Sequence, residues 1–196
     1  VTKSTPFGAT DAPFNPISLA LGAGASFVAR TLDTDKHHLP AMLRAAAAHP
    51  GAALIEIYQN CPVFNDGAFD ALTDKQTRAD NVIALEHGEP IRFGAEGERG
   101  IARTPAGDLH IVDVAAVGED ALVVHDAHRA DPSFAFALSR VAALEGGATP
   151  IGIFRAHPGD GAFVARSAEA HEAHATFAGP QLAELLHRAD TWSVGA

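Results

Sequence analysis

Apolar positions between Asn15 and Tyr58 fall into short runs separated by polar or glycine punctuation. Asn15-Pro16 opens the first run, Ile17 to Leu21, with proline at a favoured first-turn position, and Gly22 and Gly24 stop it. Ser26 to Thr31 (SFVART) carries the β-branched and aromatic residues of a buried strand. Asp33, Thr34 and Asp35 can then cap a helix, on which Leu39, Met42, Leu43, Ala46 and Ala47 recur at spacings of three and four. Pro40 lies inside that pattern, so the regular helix starts either near Asp35 or at the proline itself. His49-Pro50-Gly51 ends it, and Ala52 to Tyr58 (AALIEIY) is a second apolar strand. Strand, helix and strand at this spacing predict a βαβ unit with parallel strands, half of an open α/β sheet.

Beyond Tyr58 the period changes. Gln59 to Gly67 reads as a loop and Ala68 to Arg78 as a short helix. Ile91 to Phe93, Gly100 to Arg103 and Leu109 to Val114 read as short strands, with Pro105-Ala106-Gly107-Asp108 as the turn between the last two. Leu122 to His125 is a further candidate strand. Asp131-Pro132-Ser133 starts a helix with Phe134, Ala137, Leu138 and Val141 on one face, and Leu182, Leu185 and Leu186 suggest a last amphipathic helix. Val1 to Pro16 has loop composition, and no internal repeat is present. The pattern therefore predicts an α/β part followed by an α+β appendage.

Composition narrows the partners. With 47% hydrophobic and 19% charged residues over 196 positions, a packed core is expected. Acidic residues outnumber basic ones 24 to 14, for a formal charge of −10, which disfavours nucleic acid or an anionic membrane as a partner. No apolar run approaches the about 20 residues of a membrane span, and no secretory signal pattern opens the chain. The single cysteine, Cys61, precludes an internal disulfide and points to a reducing compartment, so a cytoplasmic protein is expected.

Most candidate motifs have plainer accounts. Gly22-Ala23-Gly24-Ala25 lacks the third glycine of a dinucleotide fingerprint, where Phe27 stands, and precedes a strand instead of following one. His171-Glu172-Ala173-His174 is one residue short of the zinc-protease spacing and lacks an evident third ligand, which favours a solvated helix face. His125-Asp126-Ala127-His128 closes a candidate strand, where capping polar groups suffice as an explanation, and His37-His38 is most simply an exposed helix start. Neither a G-x-S-x-G elbow nor a G-x-x-x-x-G-K-[ST] loop is present.

Cys61 differs, because it follows a parallel strand at the carboxyl end, where α/β sheets bind ligands. Its neighbours are amides, a proline and an aspartate: Gln59-Asn60-Cys61-Pro62-Val63-Phe64-Asn65-Asp66-Gly67. That string closely resembles the beta subunit of bacterial 2-oxoacid:ferredoxin oxidoreductases. Val1 to Gly8, Asn15 to Arg30, Gly118 to Leu122 and His125 to Arg129 fit the same family, so the resemblance runs from Val1 to about Phe154.

The resemblance implies part of a thiamine-diphosphate-binding parallel-sheet α/β domain over residues 1–60. A smaller α+β C-terminal extension of the beta subunit would occupy residues 61–196. It implies oxidative decarboxylation of a 2-oxoacid, here 2-oxoglutarate, to an acyl-CoA (succinyl-CoA) and CO2 with reduction of ferredoxin. The cofactors implied are thiamine diphosphate, Mg²⁺ and one [4Fe–4S] cluster, and the partners an alpha subunit, ferredoxin and coenzyme A. Cys61 corresponds to the fourth cluster ligand. The other three cysteines, a Gly-Asp-Gly-Asp motif and the diphosphate–Mg²⁺ asparagine would belong upstream of Val1. Thr2 to Pro6 would follow the loop near the cofactor. No catalytic or cofactor-binding residue is assigned within the chain. The alternative expectation is a truncated, non-catalytic α/β module that binds a partner subunit.

Overall fold

The computed structural model describes residues 6–8, 11–158 and 163–175. The chain divides into two compact units, Val1–Asp160 and Gly161–Ala196. In the first, helix α1 (Pro16–Gly22) begins where the Asn15 side chain accepts the Ser18 amide. Ile17, Ala20 and Leu21 are its buried face. Strand β1 (Phe27–Leu32) follows and is buried at every position. Helix α2 (His38–Ala48) starts between the two expected positions, with Pro40 in its first turn, where no intrahelical amide is lost. Asp35 caps it, its carboxylate accepting the His38 amide at 2.9 Å and the His37 amide at 3.3 Å. Those amides, His38 foremost, hold the Asp35 carboxyl below its ordinary value.

Strand β2 (Ala53–Tyr58) pairs with β1 in parallel, as the βαβ pattern predicts. Two single-turn helices, α3 (Asp70–Thr73) and α4 (Arg78–Asn81), replace the one short helix expected over Ala68 to Arg78. Strand β3 (Val82–Leu85) leads to an antiparallel sheet of β4 (Arg92–Phe93), β5 (Arg99–Arg103) and β6 (Leu109–Asp113). The β5–β6 hairpin closes as the turn residues predict, with Gly107 at φ +95° donating its amide to the Thr104 carbonyl. Leu122 and Val124 form only isolated bridges, to Ala102 and Pro90, so the expected strand there is reduced to two contacts. Helix α5 (Val114–Val117) precedes them, and α6 (Ser133–Leu138) buries Phe134, Ala135 and Leu138.

Strand β7 (Thr149–Ala156) returns the chain to the first sheet, whose order is β2-β1-β7-β3. It runs antiparallel to β1 and parallel to β3, making the sheet mixed, and two of the four strands precede residue 60 while two follow it. Phe154 is the extra residue of a bulge opposite Val28 and Ala29. Gly152, at φ +129°, lets β7 approach β3, since a Cβ there would lie 2.7 Å from the Leu85 carbonyl oxygen. The core gathers under this sheet, with Ile17, Val28, Ile83, Ile101, Leu138 and Phe154 almost fully enclosed. Removing one such side chain from water stabilises by about 1.5–3 kcal/mol.

In the second unit, helix α7 (Phe163–Ala175) carries an exposed His171 whose ring nitrogen meets the Ser167 carbonyl at 2.7 Å. The leucine-rich stretch at Leu182 to Leu186 lies outside the described residues.

Candidate functional site

The loop around Cys61 is built from the last residue of β2. Tyr58 stacks on Phe69 with ring centroids 4.5 Å apart, within a small core of Leu32, Leu72 and Ile151. The stack ties the end of β2 to the start of α3, so the chain between them must loop outward. Asn60 staples that loop shut: its amide nitrogen donates to the Asp66 carboxylate at 2.8 Å, and its carbonyl oxygen accepts the Gly67 amide at 3.0 Å. Inside the staple the Asn65 amide donates to the Cys61 carbonyl at 2.9 Å. Gly67 closes the turn at φ +76°, a conformation that favours glycine.

This geometry leaves Cys61 half-buried and turns backbone amides toward its sulfur. The Phe64 and Val63 amides, with a smaller part from Asn65, hold the thiol below its ordinary pKa, against the opposing effects of desolvation and the Asp66 charge. Backbone amides that lower a thiol's pKa favour the thiolate, the form that binds soft metals. Val63 and Phe64, beside it, are exposed.

Of the other candidates, His125 is 1% exposed, and its Nε2 lies 2.7 Å from the Ile153 carbonyl. Burial pushes its pKa down. The Asp126 carboxylate caps the His128 amide, and the His128 ring meets the Ala156 carbonyl, so this string fastens β7. His37 is exposed as expected, whereas His38 is half-buried and bonds Thr31 Oγ1 at 2.7 Å. Gly22 and Gly24 turn α1 back into β1, with no helix after them. Among the described residues no three His, Cys, Asp or Glu side chains are grouped to hold a metal ion. Thr2 to Thr5 lie outside the described residues, and no described helix is long and apolar enough to cross a membrane.

Known proteins resemble the chain along nearly its whole length. No family model matches the chain. It is 50% identical to the 2-oxoglutarate oxidoreductase subunit KorB of Mycobacterium tuberculosis, over 99% of this chain and 52% of that protein. It is 42% identical to the 2-oxoacid:ferredoxin oxidoreductase subunit beta of Saccharolobus solfataricus over 33% of this chain and 21% of that one. The chain is a homologue of these beta subunits. It spans about half the length of the KorB relative. Its fold matches the 2-oxoglutarate:ferredoxin oxidoreductase from Magnetococcus marinus, solved with 2-oxoglutarate, coenzyme A and succinyl-CoA bound. That match has a TM-score of 0.61 at 19% identity and covers 97% of this chain and 50% of the other.

In this beta-subunit homologue one charged cluster escaped the sequence pattern. Arg30 in β1 and Glu56 in β2 are register partners, and Arg30 Nε donates to Glu56 Oε2 at 2.7 Å. Arg30 is 4% exposed and also donates to the Pro150 carbonyl on β7 at 3.2 Å. Its guanidinium lies 5.0 Å from the Tyr58 ring centre and 5.3 Å from that of Phe154. Burial raises the Tyr58 phenol pKa. The available signal was a lone charge in each of two otherwise apolar strands.

Proposed function

We propose that this chain forms part of the beta subunit of a 2-oxoacid:ferredoxin oxidoreductase. The assembled enzyme would convert a 2-oxoacid and coenzyme A into an acyl-CoA and CO2, passing the two released electrons to ferredoxin. Identity of 50% along 99% of the chain to a 2-oxoglutarate oxidoreductase subunit carries this reading and favours 2-oxoglutarate, with succinyl-CoA as product. The alpha subunit, ferredoxin and coenzyme A are the partners it requires.

Within the enzyme, Cys61 is a thiolate ligand of a [4Fe–4S] cluster. The half-buried sulfur, with amides of Val63, Phe64 and Asn65 favouring its ionised form, suits that role. A cluster needs four such ligands, and Cys61 is the one cysteine of this sequence, so three come from outside it. Thiamine diphosphate with Mg²⁺ would supply the decarboxylation chemistry and the cluster single-electron transfer. This chain's contribution is to fix the Cys61 sulfur through the Asn60 staple and to keep the sulfur's surroundings rich in N–H donors.

The test is Cys61→Ser in the assembled enzyme. Loss of the cluster's visible absorbance together with loss of ferredoxin reduction is expected. Full iron content with undiminished turnover would overturn the ligand assignment.

A further inference from the structure

A second site lies on the Arg30 side of Tyr58, independent of the Cys61 loop. A cavity of about 380 Å³ is bounded by Phe14, Asn15, Arg30, Glu56, Tyr58 and Arg140. This volume is in the range of small-molecule sites.

Its polar groups are arranged with donors to spare. Arg30 is fixed by Glu56 through Nε and by the Pro150 carbonyl through Nη1, and its plane is flanked by the rings of Tyr58 and Phe154. Its Nη2 makes no hydrogen bond among the described residues and is not among the sealed, unpartnered atoms of the interior, so it is free to donate into the cavity. Arg140, exposed at the rim, makes no side-chain hydrogen bond or ion pair among the described residues, and the Tyr58 hydroxyl makes no hydrogen bond there. Glu56 is already engaged by Arg30, so the two guanidinium groups and one carboxylate leave one net positive charge. Phe14 and the Tyr58 ring supply apolar walls.

The free Arg30 Nη2, the unpaired Arg140 fork and a phenol can together recognise planar or tetrahedral oxyanions, and Arg30 is pre-oriented by its own partners. We propose that this cavity binds a small organic anion through a carboxylate or phosphate group held by Arg30 and Arg140, with its apolar body against Phe14 and Tyr58.

Calorimetric titration of the full chain, at fixed ionic strength, with propionate and separately with inorganic phosphate tests this. Saturable binding of either anion is expected, and which of the two binds more tightly identifies the head group. Arg140→Ala should weaken it at least fivefold, and Tyr58→Phe about twofold. Arg44→Ala, at an exposed arginine on α2 outside the cavity, should leave it unchanged. Absence of saturable binding by both anions would overturn the proposal. So would equal weakening by Arg140→Ala and Arg44→Ala, which would mean diffuse surface charge.

Discussion

Breaking the pair between Arg30 and Glu56 isolates a charge in the most enclosed part of the first sheet. The two side chains are 4% and 15% exposed and meet at 2.7 Å. Glu56→Gln keeps the shape of the side chain but removes its charge, so the guanidinium is left with the Pro150 carbonyl and two ring faces. Removing one partner of a buried ion pair costs about 3–5 kcal/mol. Gln retains an acceptor for Arg30 Nε, which places the expected loss at the lower end, about 3 kcal/mol. For a chain of this size that is a fall in Tm of about 6–12 °C. Replacing both partners, Arg30→Met with Glu56→Leu, removes the desolvation penalty along with the attraction. That double variant should lie within about 1 kcal/mol of the parent. Urea unfolding of the full chain, followed by far-ultraviolet circular dichroism, gives both values. The Glu56→Gln loss should also persist in added salt, because an enclosed pair is weakly screened. A Glu56→Gln loss under 1 kcal/mol, or a double variant as unstable as the single one, would refute the reasoning.

Three other outcomes follow from the geometry. Cys61 in the full chain without cofactors should react with iodoacetamide at pH 7 faster than a cysteine in an unstructured peptide, since amides hold its thiol pKa down; an equal or slower rate contradicts that environment. The buried His125, and with it His38 and His49, has a folded pKa below its unfolded value of about 6.5, so the unfolded chain binds more protons as pH falls through that value. Stability is therefore full above about pH 7 and declines as pH falls below about 6.5, by up to about 1.4 kcal/mol per pH unit for the buried His125. Tm at pH 7.5 and 5.5 measures this decline, which His125→Gln should flatten; a Tm that rises on acidification would exclude it. Gly152→Ala should cost about 3 kcal/mol, from the φ of +129° and the crowding of the Leu85 carbonyl, and a loss below 1 kcal/mol in urea unfolding would show that β7 can shift away.

The βαβ unit was legible because its cues are local: a capping aspartate, helical spacing from Leu39 to Ala47 and apolar strands on either side. The β5–β6 hairpin was legible for the same reason, from Gly107 and its neighbours. β7 was not. Pro150 and Gly152 look like strand breakers in sequence, yet the Pro150 carbonyl receives Arg30, and Gly152 is the residue that lets β3 come close. β3 is four residues long and lacks a period of its own. Cys61 could be singled out by its place after a strand. The amides that tune its sulfur could not, since they depend on the dihedral angles of the Asn60 staple. The Arg30–Glu56 pair required the register of two strands, which composition does not supply.

The position of β7 also sets a timetable for the nascent chain. Arg30 donates to the carbonyl of Pro150, 120 positions later. Ribosomes add about 5–20 residues per second, so β1 leaves the exit tunnel roughly 6–24 s before its inner neighbour does. Throughout that interval a mostly apolar strand and its arginine wait with one side open, a template for pairing with other emerging chains. Closure of the sheet is a single late event, and the segment from β3 to α6 must be paid out first as a slack loop whose own hairpin can fold while β1 waits. A pause in translation at any point before β7 has left the tunnel would prolong the aggregation-sensitive stage.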